Sequence, residues 1–375
     1  MTVAGQTAPG DGILVKGALI DVRTHDVIFR HYRHRVGIDH KEAIGSGVGI
    51  LLFEANNVIV DHCSVSWGTD DLIAVYNGNR DVTIQHCIIA EGLNGTFRGV
   101  KVGGKGLQIS GKILTQRVSA LHNLLAHTAN RVPLVNARDV QVVNNVIYNS
   151  VIGSVVAAAH FPSESVEFVN NFYVPGPKSG AYPPIRLIGA ENPATTPAEA
   201  AATRVYLSGN IHPKYRPVDS WPQDDIVDQT DGGLPVVTTQ FGLPLIPTQT
   251  DAVEAKTNVL NNAGMTVPVR GPVDARIIRD VHAGTGNGVP TGTSYPIIAV
   301  VTRPPGFDTD GDGMPNRWEI AHGLNPDDET DGSRVADNGY TLLENYLNEL
   351  AGDRVPGLGA SQPVPPRNLR VDESS

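Results

Sequence analysis

The chain has 375 residues, with 40 Gly, 27 Pro, 6% aromatic residues and two Cys, which excludes a helical bundle and a disulfide scaffold. Its net charge of −10 is concentrated at one end: residues 306–375 hold 14 Asp/Glu against 5 Arg, so the first 305 residues are close to neutral. With no basic run and no long apolar stretch, neither a nucleic-acid partner nor a membrane span is expected.

The N-terminal "MTVAGQTAPGDG" carries no signal-peptide pattern. From there a repeat runs through the first 215 residues. "VIFRHY" starts at Val27, "VIVDHC" at Val58, "VTIQHC" at Val82, "VSALHN" at Val118, "VQVVNN" at Val140, "VEFVNN" at Val166 and "VYLSGN" at Val205. The spacings are 31, 24, 36, 22, 26 and 39 residues, never shorter than one β-coil. Position one is always Val, and position three is apolar or Ala, as in a strand with one buried face. Position six reads Tyr32, Cys63, Cys87, Asn123, Asn145, Asn171 and Asn210, and asparagines stacked at a bend can bond along the stack.

A second strand is expected ahead of each valine run, over residues 48–53, 70–76, 105–110, 131–136, 153–159 and 183–189. Two in-phase strands per coil predict an all-β fold, a right-handed parallel β-helix, over residues 1–215. Position five supplies His31, His62, His86 and His122, one coil or about 4.8 Å apart. That spacing stacks rings rather than converging them on one ion. Cys63 and Cys87, in adjacent coils, read as buried thiols, with a disulfide as the competing state.

The earlier strand of each coil collects the charged candidates: Asp70 and Asp71, then Lys105, Arg131 and Arg186. In "RVPLV", inward Val132 and Leu134 would turn Arg131 outward, and "PIRLI" turns Arg186 outward the same way. Glycines blur the register around Lys105, so Lys101 competes for its place. A row of cations one coil apart suits a linear anionic polymer; a solvated basic stripe is the plain alternative. Alternation sends Asp70 and Asp71 to opposite faces, against a paired-carboxylate hydrolase.

Residues 216–305, rich in Pro, Gly and Thr, read as an extended wrap with one short helix near Asp251–Ala263. Residues 306–352 then form a small module. "DTDGDGMPNRWE" puts Asp308, Asp310 and Asp312 at positions 1, 3 and 5 of a calcium loop, Gly313 at 6, the Met314 carbonyl at 7, Asn316 at 9 and Glu319 at 12. This EF-hand-like loop, similar to thrombospondin type 3 repeats, predicts a structural Ca²⁺. Asp337 and Glu344 are weaker candidates in a degenerate partner loop, and Leu343, Tyr346, Leu347 and Leu350 read as the core face of a helix. Residues 353–375 read as a tail.

The segments "TVAGQTAPGDGI", "NNVIVDHCSVSWGTDD", "VTIQHCIIAEGL", "LHNLLAHTANRVPL", "VQVVNNVIYN" and "DAVEAKTNVLNNAG…VPVRGPVDARIIRDVHAGTG" resemble the pectate lyases of polysaccharide lyase family one, from residue 2 to about 350. The resemblance implies β-elimination on pectin or pectate, an acidic plant polysaccharide, by a secreted monomer. It implies Arg131 as the catalytic base or charge stabiliser and Lys105 as the carboxylate binder. Asp70, Lys101, His127, Arg138 and Arg186 are the further candidates for substrate contact. The family also holds Ca²⁺ in its cleft through acidic residues on two strands. Here Val48 and Ala74 stand at two of those positions, Asp70 matches a third, and Asn136 replaces a second arginine with Arg138 nearby. The alternative expectation is a non-catalytic carbohydrate-binding β-helix, an adhesin or degenerate lyase. The family's leader and N-terminal segment are not seen, so the first coil is expected either to be trimmed or to be capped another way, such as by a second chain.

Overall fold

The computed structural model describes residues 1–37, 47–93, 96–97, 100–101, 104–158, 165–189, 196–215, 224–243, 249–287 and 295–353. Three parallel sheets stack coil upon coil. Sheet A has nine strands, running from Thr2–Ala4 through His25–Arg30 and Arg138–Val143 to Val236–Val237. Sheet C has eight, from Ile20–Val22 to Val227–Asp231. The valine column is a single register line: Val27 pairs with Val58, then Val82, Val118, Val140, Val166, Val205 and Val236.

The column positions after the valines explain how each coil turns. His31, His62, His86, His122, Asn144, Asn170 and Gly209 all take the left-handed conformation, φ 47–66°. The histidines stack at 4.7, 4.7 and 4.9 Å between ring centroids. Burial pushes His31 and His86 down to about 3 and His122 to about 4, so these three rings are neutral. Asn123, Asn145 and Asn171 each donate to the next asparagine's Oδ1 at 2.9–3.0 Å, ending on Asn210. The same oxygens accept the backbone N–H groups of Asn123, Asn145 and Asn171 in the preceding coil, which satisfies buried bend amides at about 1 kcal/mol net per bond. Cys63 and Cys87 are free, buried thiols.

Among the described residues, seven coils contain three strands rather than the two expected. The extra sheet B has seven, including Tyr32–Arg35, Ser64–Ser66, Ile88–Ala90 and Val146–Tyr148. Its strands lack alternation because both faces are covered. The outer face packs against helices: Ile88, Leu124, Val146 and Tyr148 meet Val259, Leu260, Ile277 and Val281. The helices, in chain order, are α1 (Pro197–Ala202), α2 (Ala252–Asn262), α3 (Pro272–Ala283), α4 (Asn316–Ala321) and α5 (Leu342–Ala351).

The described residues of 216–305 therefore carry two α-helices, not one. The strand ladder also passes residue 215, through Val227–Asp231 and Val236–Val237. α3 has Pro272 in its first turn and Gly284 at a left-handed C-terminus, and it is pinned to sheet B through buried Asp274. That carboxylate accepts from Arg35 at 2.5 Å and from Ser64 at 2.7 Å. No helix among the described residues is long and apolar enough to cross a membrane.

Candidate active site

Sheet C positions the site. Lys105 opens the strand Lys105–Ser110, in register with Asp71 on one side and bridged to Asn130 on the other. Arg131 follows that bridge with φ +57°, outside any strand, and the next regular strand is only Leu134–Val135. The expected alternation thus fails. Val132 and Pro133 are both buried, Leu134 is only half-buried and Val135 is buried again, so the inward positions do not alternate from Arg131.

The charged groups converge in two linked pairs. Arg131 Nη1 donates to Asp71 Oδ2 at 2.5 Å and to Gln108 Oε1 at 2.6 Å. Lys105 Nζ bonds the Asp70 carboxylate, and both side chains stay about one-third exposed. Asp71 is almost fully buried, and its Oδ1 has no partner. Burial pushes Asp71 up to about 6; the Arg131 charge opposes that shift and the Asp70 charge adds to it. Asp70 and Asp71 do not diverge as alternation implied, since Asp71 lies at the strand's first residue and both carboxylates serve this one cation pair.

Other candidates are placed elsewhere. Arg186 does face outward on sheet C, between buried Ile185 and Leu187, and pairs with Asp231. It lies two strands from Leu134, about 10 Å along the stack. His127 does not reach Arg131: it is buried beside α3, with Nδ1 accepting from Asn149 at 2.9 Å and Nε2 3.4 Å from Asp280. Burial lowers its pKa. Arg138 begins a sheet A strand and donates to Gln116, away from the sheet C face. Lys101 lies in a two-residue strand, and its side chain falls outside the described residues. Gln108 was not foreseen as a site residue, and Asp71, though among the charged candidates, was not foreseen as the partner of Arg131. The doublet "TDD" and the parity of Gln108 with Ala74 and Leu134 were the available clues.

The cleft residues do not suit a resident Ca²⁺. Val48 and Ala74 are buried apolar groups, and Asp70 and Asp71 already hold Lys105 and Arg131. Among the described residues, the acidic clusters that could hold a metal lie elsewhere. At the C-terminal end, ligand atoms of Asp308, Asp310 and Asp312 lie within 4.8 Å of one another, and so do those of Asp312, Glu319 and Asp331. Glu319 is fully buried and neither carboxylate oxygen has a hydrogen-bond partner. Burial, with Asp310 and Asp312 adding, pushes it up to about 7. Such a group calls for a cation.

Two details of the predicted loop change. The Asn316 side chain is turned to Thr309, accepting from its N–H at 2.8 Å and donating to its hydroxyl at 2.6 Å. The partner turn contributes Asp331, whereas Glu344 caps α5 with Thr341 and Asp337 is exposed. Met314 donates its N–H to Asp312 at 2.8 Å and buries its side chain against Tyr346 and Leu347.

No family model matches the chain. It is similar to "Probable pectate lyase C" of Aspergillus flavus, 30% identical over 359 residues that cover 93% of this chain and 78% of that protein. The protein of the same name in Neosartorya fischeri is 28% identical over 365 residues, with the same coverage. A pectate lyase from Bacillus sp. N165, solved in complex with trigalacturonate, aligns with 69% of this chain and 74% of its own at 18% identity. Its TM-score of 0.47 is too low to add weight. On the near-full-length match to the Aspergillus proteins, this chain belongs to the pectate lyase family.

Proposed function

We propose that this enzyme cleaves pectate by β-elimination on the outer face of sheet C, with Lys105 and Arg131 binding the uronate carboxylate beside the reacting carbon. The observation that carries this reading is the side-by-side placement of Lys105, Arg131, Asp70 and Asp71 at the start of adjacent coils. The proton at C5 becomes acidic because it is α to that carboxylate. As it passes to a solvent water, negative charge builds on the carboxylate oxygens, a C4=C5 double bond forms, and the C4–O bond breaks with its electrons on the glycosidic oxygen, which takes up a proton from water.

A guanidinium is cationic at working pH and makes a poor resting base. Its bonds to Asp71 and Gln108 favour Arg131 as the group that neutralises developing charge, with Asp71 and Gln108 holding it in place. Arg186, two strands further, suits a neighbouring uronate of the extended polymer. The polymer substrate supports action outside the cell. The buried, unpartnered Glu319 supports Ca²⁺ in the C-terminal loop, held by Asp308, Asp310, Asp312, Glu319 and the Met314 carbonyl.

Incubation with polygalacturonate should produce ultraviolet absorbance from the unsaturated product. Highly methyl-esterified pectin should be cleaved more slowly, since the ester removes the charge that the two cations recognise. No product from any uronate polymer would overturn the reading.

A further inference from the structure

The C-terminal module does not hang free of the solenoid. α5 lies against the turn Gly5–Thr7, which follows the first strand of sheet A. Ala4 packs with Met314, Tyr346 and Leu347, and buried Gln6 points its amide at the Leu347 carbonyl, 3.5 Å away. Arg30, paired in register with Ala4, donates to Asn348 Oδ1 at 2.9 Å and to the Asp353 carboxylate at 2.5 Å. Arg303 reaches the Thr7 carbonyl. The first strand, Thr2–Ala4, is the open end of the sheet A ladder, where unpaired backbone would otherwise invite association.

The acidic cluster draws on the same elements. Asp308, Asp310 and Asp312 come from the loop before α4, Glu319 from α4 itself and Asp331 from the turn that packs on α5. Asp312 belongs to both trios, and it approaches Gly332 so closely that a Cβ there would lie 2.4 Å from its Oδ2. Trp318 on α4 donates to Glu349 on α5 at 2.8 Å. Five carboxylates at this distance repel one another unless a cation joins them. The fully buried, unpartnered Glu319 is the independent sign that they are arranged for an ion rather than for water.

We propose that one Ca²⁺, with Asp331 as the ligand that crosses from the second turn, is the clasp that holds α5 on the N-terminal edge of the solenoid. This rests on the calcium reading of the loop. With the ion in place, α4, the Asp331 turn and α5 form one body, and α5 covers Thr2–Thr7. Without it, carboxylate repulsion separates the two turns and the edge strand loses its cover.

The test uses the full chain, stripped with chelator and titrated with CaCl₂ by calorimetry, beside hydrogen exchange with and without the ion. Ca²⁺ should slow exchange across residues 2–7 at least about tenfold and leave 118–121, deep in sheet A, unchanged. Asp331→Asn should weaken Ca²⁺ binding about tenfold or more. Calcium binding with no change at residues 2–7 would overturn the clasp and leave the ion site standing. Unchanged affinity in Asp331→Asn would remove Asp331 from the ligand set. No binding heat, together with no Ca²⁺-dependent exchange anywhere in 306–353, would overturn the loop reading and the clasp with it.

Discussion

On sheet C, Asp70, Asp71 and Asp231 each meet a cation, in Lys105, Arg131 and Arg186. At the C-terminal end, Asp308, Asp310, Asp312, Glu319 and Asp331 converge and form no ion pair among the described residues. The first arrangement is complete in its charges, yet each cation stays 24–30% exposed and can turn to an anion that arrives from solvent. The second is incomplete until a cation arrives. Sequence counts of acidic residues treat the two alike; what separates them is whether the chain supplies the counter-charge.

Removing Arg131 should break the cleft side of that contrast most severely. Arg131→Ala deletes the group that meets developing charge and strands buried Asp71, so kcat on polygalacturonate should fall about 10³-fold, about 4 kcal/mol. Arg131→Lys should recover part of the loss, because it keeps a charge but not the bidentate reach. Next in size is chelation, which addresses the other side. At Ca²⁺ of about 100 times Kd the ion contributes about 2.7 kcal/mol, so its removal should lower the melting temperature by several degrees. Below that temperature kcat should change by less than about twofold, since Lys105 and Arg131 hold the cleft carboxylates. A chelated enzyme that melts unchanged but stops cleaving would reverse the assignment of roles.

Much of this was legible beforehand, for a physical reason. A solenoid repeats one local problem, and its answers at the bend, a left-handed residue followed by an amide that bonds to the next coil, appear as the His/Asn/Gly and Asn columns. Sheet B was hidden because it is buried on both faces and so has no period to read. α3 was hidden although its Pro272 start and Gly284 stop were present, because the surrounding Pro- and Gly-rich composition suggested wrap. At the site, parity holds only for Arg186; Lys105 and Arg131 came from chain order and the family resemblance. Asp71 and Asp331 did not, since each acquires its role only when a distant turn folds over it. The burial of His127 has the same origin: nothing local says that α3 will cover it.

Two smaller perturbations sharpen the cleft. Asp71 is a positioning residue, so Asp71→Asn should lower kcat about tenfold, about 1.4 kcal/mol, by leaving Arg131 anchored through Gln108 alone. Its pH signature distinguishes this from a general structural loss. Burial raises the folded carboxyl to about 6, above its unfolded value, so its contribution to stability declines as pH rises from about 4 to about 6. Over the same interval the carboxylate forms and fixes Arg131, so activity should rise with pH while stability falls. In Asp71→Asn both slopes should flatten. The smallest effect belongs to Arg186→Ala. Two strands from the reacting pair and already engaged by Asp231, Arg186 is proposed to meet a neighbouring sugar in ground and transition states alike. Its loss should raise KM about threefold, about 0.7 kcal/mol, with kcat unchanged. A matching fall in kcat would move Arg186 into the reacting centre and shorten the distance over which the row of cations reads the polymer.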